Sequence, residues 1–183
     1  MAYIILVAGM PATGKTTYAR HIVEKLHIPV IVKDDITKKI HDVLQYDNSK
    51  QGNGTLYGMA TYAVFFHVAE CLMKAGTSFI LESNFTTRGI ADLSPLVQKY
   101  NYRALTVLLD TDAEIAYKRF CEREGLPLPT SNTKDDIDNG NVVASGYRDF
   151  CVGEKITIDT TDFTKVDYNR IDDLVIGFTK RVL

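Results

Sequence analysis

A short glycine-containing segment near the N-terminus constrains the fold of this chain more than any other feature. Residues 9–16 read Gly-Met-Pro-Ala-Thr-Gly-Lys-Thr, with two glycines five positions apart and Lys15 and Thr16 directly after the second. An uninterrupted apolar run, residues 3–8, precedes this segment, and apolar residues recur at helical spacing over residues 19–26 after it. A strand, a glycine turn and a helix in this order bind phosphate through backbone N–H groups and the helix N-terminus. The sequence therefore predicts a buried strand and a helix joined by an anion-binding turn.

Lys15 and Thr16 have defined roles in a turn of this pattern. The lysine ammonium contacts the β- and γ-phosphates, and the threonine hydroxyl coordinates Mg²⁺. The chain is therefore predicted to bind ATP or GTP with Mg²⁺. The residues predicted to contact the nucleotide are Gly9, Met10, Pro11, Ala12, Thr13, Gly14, Lys15, Thr16 and Thr17.

Short apolar runs alternate with amphipathic stretches about five times along the rest of the chain. Strands are predicted over residues 3–8, 28–32, 78–81, 102–109 and 155–158. Helices are predicted over residues 15–26, 36–44, 56–75, 88–100, 112–124 and 168–180. This alternation is typical of a doubly wound α/β fold with a mainly parallel sheet. The polar stretch 125–150 interrupts the pattern, and we expect a mobile element there.

Composition limits the class of protein. The chain has 183 residues, which we interpret as a single domain over residues 1–183. Its 21 basic and 23 acidic residues give a net charge of −2, which excludes a strongly basic nucleic-acid-binding protein. Three widely spaced cysteines indicate neither a disulfide framework nor a zinc site. The apolar N-terminal run is short and lacks a basic segment before it, so we expect a cytoplasmic protein with no membrane partner.

Two adjacent carboxylates follow the second predicted strand, at Asp34 and Asp35. Ligands of α/β sheets bind beyond the carboxyl ends of the strands. A carboxylate at this place can accept the proton of a hydroxyl that attacks the γ-phosphate, and the other aspartate can contact the substrate or cap the following helix. Asp34 is our first choice for the catalytic base, and Asp35 is the alternative.

Other polar residues follow the third and fourth predicted strands. Glu82 or Asp110 is predicted to support Mg²⁺, with helix capping as the alternative role of Asp110 and Asp112. Glu82 is the better placed if the third strand neighbours the first. Asn84 is predicted to contact the substrate.

Two arginines lie one helical turn apart before the polar stretch, at Arg119 and Arg123. Guanidinium groups beside a triphosphate stabilise the negative charge of the phosphoryl-transfer transition state. Pairing with neighbouring glutamates on a solvated helix surface is the alternative. We predict that both arginines act on the nucleotide from a lid around residues 119–150.

The residues quoted so far resemble the P-loop kinase superfamily, which includes zeta-toxin-like small kinases. The nearest likeness is to the 5′-hydroxyl kinase domain of phage polynucleotide kinases. The resemblance rests on residues 9–17, on the sequence Lys33-Asp34-Asp35 and, more loosely, on the two arginines and on Glu82-Ser83-Asn84. One departure is Thr37, which stands where the phage enzymes carry an arginine three residues after the catalytic aspartate.

The resemblance implies a three-layer α/β/α P-loop NTPase fold with a five-stranded parallel sheet of strand order 2-3-1-4-5 and a small lid. It implies that Asp34 is the general base. It also implies an adenine site just after the last strand, where Thr160 and Thr161 are the candidate contacts.

The sequence thus predicts a kinase that uses ATP and Mg²⁺ to phosphorylate a hydroxyl of a small molecule or nucleotide. Lys15, Asp34, Arg119 and Arg123 are the predicted catalytic residues. The alternatives are an NTP-hydrolysing switch and a polynucleotide 5′-hydroxyl kinase, although Thr37 and the net charge of −2 disfavour a nucleic-acid 5′ end as acceptor. We expect a monomer or homodimer.

Overall fold

A computed structural model describes residues 1–44, 54–126 and 146–181, and within them a five-stranded parallel sheet. The strands are β1 (Tyr3–Gly9), β2 (Val30–Val32), β3 (Phe79–Glu82), β4 (Arg103–Asp110) and β5 (Glu154–Asp159). Their order is β2-β3-β1-β4-β5, and all neighbours pair in parallel. The predicted fold class and strand order are confirmed.

Six α-helices and one 3₁₀ turn complete the described part of the chain. The helices are α1 (Lys15–Leu26), α2 (Lys33–Leu44), α3 (Gly54–Lys74), α4 (Thr87–Lys99), α5 (Ala113–Glu124) and α6 (Tyr168–Lys180). The 3₁₀ turn, Phe163–Lys165, lies between β5 and α6. The polar stretch expected to be mobile falls largely on residues 127–145, which lie outside the described residues.

Strand β1 is the centre of the core because helices cover the sheet on both faces. Successive side chains of a strand point to opposite faces. Ile4 and Leu6 accordingly pack in the cluster that contains Phe65 of α3, while Ile5 packs with Tyr18 of α1. All of these side chains are buried. The sheet is therefore the middle of three layers.

The second strand is shorter than predicted, and the helix after it begins earlier. β2 covers only Val30–Val32, and α2 begins at Lys33 rather than at residue 36. β2 is an edge strand with three paired positions, all on β3. Asp34 and Asp35 lie in the first turn of α2, where the helix dipole favours acidic side chains. The two carboxylates thus belong to a helix N-terminus and not to the end of a strand.

Helix α3 is long and apolar enough to cross a membrane by length and composition, with a mean hydropathy of 1.3 over Leu56–Lys74. A core helix of a soluble protein meets the same criterion. Phe65, Ala69 and Met73 of α3 are buried within the core, although only 22% of the apolar window is buried. The cytoplasmic location stays a prediction.

Candidate nucleotide and acceptor site

The loop of residues 9–16 connects the carboxyl end of β1 to α1 through two glycines that no other residue replaces easily. Gly9 has a φ of 146°, and a Cβ atom there would lie 2.3 Å from the backbone oxygen of Leu109. Gly14 caps α1 in the left-handed conformation, with a φ of 91°. Glycine adopts such angles without steric cost. The sequence pattern is therefore required by the backbone path of the loop.

Replacing Gly9 by alanine is expected to lower the free energy of unfolding by about 2–4 kcal/mol, since the new methyl group collides with backbone and not with a movable side chain. Urea unfolding measures this loss. Gly177→Ala in α6 is the matched control, because a Cβ atom there meets nothing within 4 Å. The control should leave stability unchanged or raise it by up to about 1 kcal/mol. Equal effects of the two changes would contradict the steric argument.

Lys15, at the end of this loop and the start of α1, is buried. Its ammonium donates a hydrogen bond of 2.6 Å to the carbonyl of Met10, and the residue is only 6% exposed. Burial lowers the pKa of Lys15 to about 8, against the opposing attraction of the Glu82 and Asp34 carboxylates. The desolvated ammonium is thus held where an anionic phosphate would be a favourable partner.

Thr16 and Glu82 form a hydrogen-bonded pair of oxygen groups beside this lysine. The Thr16 hydroxyl donates a 2.8 Å hydrogen bond to Glu82 Oε2, and Glu82 is 2% exposed at the end of β3. Burial raises the pKa of Glu82, while Lys15 and the Thr16 hydrogen bond oppose that shift. Strand pairing of Val7 with Glu82 brings the carboxylate next to the loop.

This pair fits Mg²⁺ by its donor chemistry. Mg²⁺ is bound by oxygen ligands, through one or two carboxylates, waters and substrate phosphates rather than by a protein cage. Within the described ranges, no group of three or more His, Cys, Asp or Glu side chains converges. A Mg²⁺ site whose other ligands are waters and nucleotide phosphates needs only a hydroxyl and one carboxylate from the protein. Glu82 and Thr16 are therefore the candidate ligands.

Asp110, the other candidate for Mg²⁺, is engaged elsewhere. Its carboxylate accepts hydrogen bonds from the Tyr147 hydroxyl at 2.9 Å and from Arg148 Nε at 3.0 Å. Asp112 caps α5, accepting from the backbone N–H groups of Glu114 and Ile115. The geometry thus favours Glu82 over Asp110.

A cavity of about 570 Å³ opens at the carboxyl edge of the sheet, above the loop. Loop residues, the Glu82 carboxylate and α5 line it together. The predicted site residues that line it are Pro11, Ala12, Gly14, Lys15, Thr16, Thr17, Asp34, Glu82, Asn84, Arg119 and Arg123. Met10 and Thr13 are instead buried inside the loop, where the Thr13 hydroxyl donates to the Met10 carbonyl.

The two adjacent aspartates face different surroundings. Asp34 lines the cavity above the loop, and its carboxylate pairs with Lys33 at 2.7 Å. Asp35 lines a separate apolar groove with Ile36 and Val64. The structure therefore brings Asp34, and not Asp35, together with Lys15.

The two arginines of α5 also differ from each other. Arg119 donates hydrogen bonds of 2.8 Å to the carbonyls of both Thr160 and Thr161, and its guanidinium lies 4.0 Å from the ring centroid of Phe163. Arg123 pairs with its neighbour Glu124 on an exposed part of the helix. Arg119 thus holds the loop after β5 in place, whereas Arg123 has an ion pair that solvent screens strongly.

The hydroxyls of Thr160 and Thr161 are used within the protein. The Thr160 side chain is fully buried, 2.6 Å from the Thr111 hydroxyl. Thr161 Oγ1 accepts a hydrogen bond from the backbone N–H of Asp112. Neither residue lines the cavity above the loop, but Phe163 does. Sequence analysis missed Phe163, for which the only signal was its place two residues after Thr161, a predicted adenine contact.

Comparisons with known proteins agree with this geometry. A family model described as an AAA domain matches residues 4–135, which is more than half of the chain. No curated protein sequence matches the chain significantly.

Three solved structures share the fold. A protein described as a "putative kinase" from Chloroflexus aurantiacus is 22% identical, with a TM-score of 0.79, over 98% of this chain and 96% of that one. A gluconokinase from Sinorhizobium meliloti is 13% identical, with a TM-score of 0.54, over 98% of each chain. An APS kinase from Mycobacterium tuberculosis is also 13% identical, with a TM-score of 0.55, over 98% of each chain. The family match shows that this chain belongs to the AAA domain family, and the glycine-containing loop and the strand order agree with a P-loop NTPase fold.

Proposed function

We propose that this protein is an ATP-dependent kinase that transfers the γ-phosphoryl group to a hydroxyl of a small molecule or nucleotide. The observation that carries the proposal is the placement of Asp34 in the same cavity as Lys15, Thr16 and Glu82. A phosphate-binding loop alone also serves NTP-hydrolysing switches. A carboxylate facing the loop from a separate helix is what a hydroxyl acceptor requires, because its proton has to be removed.

The proposed phosphoryl transfer assigns a role to each of these four residues. The acceptor oxygen forms a bond to the γ-phosphorus while the bond from that phosphorus to the β,γ-bridging oxygen breaks, and ADP leaves. Asp34 takes the proton of the acceptor hydroxyl. Lys15 stabilises charge on the β- and γ-phosphates, and Thr16 and Glu82 would hold Mg²⁺, which neutralises charge on the same phosphates when bound.

The base of the nucleotide would lie at the α5 side of the cavity. Arg119 and Phe163 both line the cavity there, and the guanidinium and ring are already in contact at 4.0 Å. Flat guanidinium and aromatic groups stack on heterocyclic bases. Phe163 also reaches the loop, since a Cβ atom on Gly14 would lie 3.0 Å from its ring. Arg119 thus both supports the loop after β5 and offers a surface to the base.

A screen for acceptors tests the proposal. Transfer of label from γ-³²P-ATP would be measured with nucleosides, sugars, antibiotics and 5′-hydroxyl oligonucleotides. We expect stoichiometric ADP and phosphorylated product with at least one small-molecule class. Free phosphate as the sole product with every acceptor would instead support an NTP-hydrolysing switch.

Replacing Glu82 by glutamine is expected to raise the Mg²⁺ concentration for half-maximal ATP binding about tenfold, because one anionic ligand is lost while size is kept. The fold should persist, since burial already disfavours the charged form of Glu82. A Mg²⁺ titration monitored by ATP binding measures the shift. Asp110→Asn is the control and should leave the Mg²⁺ requirement unchanged. A shift with Asp110→Asn alone would assign the metal to Asp110.

A further inference from the structure

A second cavity, of about 620 Å³, adjoins the cavity above the loop of residues 9–16 (the nucleotide cavity). It lies between α3 and the first half of α4. Asn84, just after β3, lines both cavities. No residue of the phosphate-binding loop or of α5 lines the second cavity. It is therefore a separate compartment that adjoins the first cavity at Asn84.

Aromatic rings form one wall of this cavity. The rings of Tyr62 and Phe66 are stacked, with centroids 5.7 Å apart and planes at 27°. Phe85 completes the wall and is itself backed by Phe150, whose ring lies parallel at 4.6 Å. The Tyr62 hydroxyl is 3.2 Å from Ser83 Oγ, and a hydrogen bond between them restrains the orientation of the Tyr62 ring. One wall of the cavity is therefore aromatic.

Lys33 links this wall to the predicted base. Its ammonium lies 5.7 Å from the Tyr62 ring centroid and 2.7 Å from Asp34 Oδ1. The Lys33 ammonium thus lies between the Tyr62 ring and the Asp34 carboxylate. The shared residue Asn84 marks the same passage between the cavities.

The opposite rim of the cavity is polar and charged. Arg88 and Asp92 lie one turn apart on α4, and Thr86 precedes that helix. Both charged side chains are exposed, and neither has an ion pair within the part of the chain that the structure describes. They are free to form hydrogen bonds to the edge of a bound ring.

Resting on the proposed kinase function, we infer that the second cavity binds the acceptor by packing a planar ring against the aromatic wall that Tyr62 and Phe66 help to form, and that the acceptor is an alcohol of the nucleoside class. Such a molecule joins a flat heterocycle to a hydroxyl-bearing sugar. The heterocycle lies against the wall with its polar edge toward Arg88 and Asp92, and the sugar hydroxyl reaches Asp34. A ring-free polyol has no flat face for the wall and would leave its hydroxyls unpaired there.

The test compares ring-bearing and ring-free alcohols. Cytidine and thymidine are measured against glycerol and gluconate, both for label transfer from γ-³²P-ATP and for equilibrium binding with a non-hydrolysable ATP analogue at saturation. The analogue keeps the probes out of the nucleotide site. We expect kcat/KM for a nucleoside to exceed that for either polyol by at least about tenfold.

Substitutions at the wall locate the effect. Tyr62→Leu keeps bulk but removes the π surface, and should weaken nucleoside binding about tenfold. Tyr62→Phe keeps the ring and should bind within about twofold of the parent. Val64→Ala is the matched control on α3, since Val64 is exposed and lies outside this cavity. It should bind nucleosides like the parent chain.

The outcomes separate the two proposals. Tyr62-dependent nucleoside binding without transfer to any acceptor would overturn the kinase function and leave the ring site standing. Efficient transfer to glycerol or gluconate, with nucleosides unbound, would overturn the ring site and leave the kinase function standing. Nucleoside binding that Tyr62→Leu does not weaken, or the absence of nucleoside binding, also overturns the inference.

Discussion

Replacing Lys15 by alanine is expected to weaken ATP binding at least about a hundredfold and to abolish stabilisation of the protein by ATP. The ammonium is the buried cation of the loop, and its loss would leave the β- and γ-phosphates without their charged partner at a desolvated place. Thermal unfolding with and without ATP, together with direct titration, measures the loss. Undiminished stabilisation by ATP in Lys15→Ala would show that the loop does not bind the triphosphate.

The pH dependence of ATP binding by the parent protein is a second test of the role of Lys15. Burial lowers the pKa of Lys15 to about 8 in the free protein, and a bound triphosphate would raise it. ATP binding then takes up a proton above pH 8, so the dissociation constant should rise up to tenfold per pH unit there and stay flat below it. Lys15→Arg keeps its charge throughout and should lose this slope. An identical slope in Lys15→Arg would assign the titration to another group.

The same shift affects the stability of the free protein in the opposite direction. The pKa of Lys15 is about 8 in the folded protein, against its ordinary value of 10.5 in the unfolded chain, so the unfolded chain binds the proton more tightly between these values. Stability therefore gains a contribution as pH rises from about 8 to 10.5. Nucleotide affinity and intrinsic stability should thus change with opposite signs over this window. This opposition distinguishes a buried, functionally charged lysine from a surface lysine.

The phosphate-binding loop and the sheet were predictable because their signals are local. Gly9 and Lys15 belong to one short pattern, and the flanking strand and helix follow from hydrophobic spacing in neighbouring residues. The length of β2 was not predictable in this way, since an edge strand ends where pairing with β3 ends. Because β2 ends at Val32, α2 begins early, at Lys33. This early start places Asp34 in the first turn of α2.

Other parts of the site depend on contacts that no local pattern encodes. Asp110 and Glu82 look equivalent at the ends of two strands. Only the structure shows that Tyr147, from a distant segment, bonds the first, while Thr16 bonds the second. Phe163 is similar, because its place in the cavity depends on its contact with Arg119. The roles of residues that depend on tertiary contacts therefore cannot be predicted from the sequence, even where the fold can.

Replacing Asp34 by asparagine is expected to lower kcat for phosphoryl transfer by about 10²–10⁴-fold, the range for loss of a general base. ATP binding should change little at pH 7, because Asp34 is only the second-largest carboxylate influence on Lys15 and Lys15 stays protonated there. Quenched-flow measurement of transfer, with ATP affinity determined separately, resolves the two quantities. A loss in kcat with unchanged ATP affinity is the signature of proton removal from the acceptor.

Asp35→Asn is the matched control for this substitution. It removes the same charge from the adjacent residue of the same helix turn, but Asp35 faces the groove with Ile36 and not the nucleotide cavity. It should therefore retain kcat within about twofold. Any general electrostatic effect of removing an acidic residue from the helix N-terminus would appear in both variants, so the difference between them isolates the base. Normal transfer by Asp34→Asn and a large loss in Asp35→Asn would move the base to Asp35. That result would also require the acceptor to enter from the α2–α3 groove, so the choice of aspartate fixes the direction from which the hydroxyl attacks.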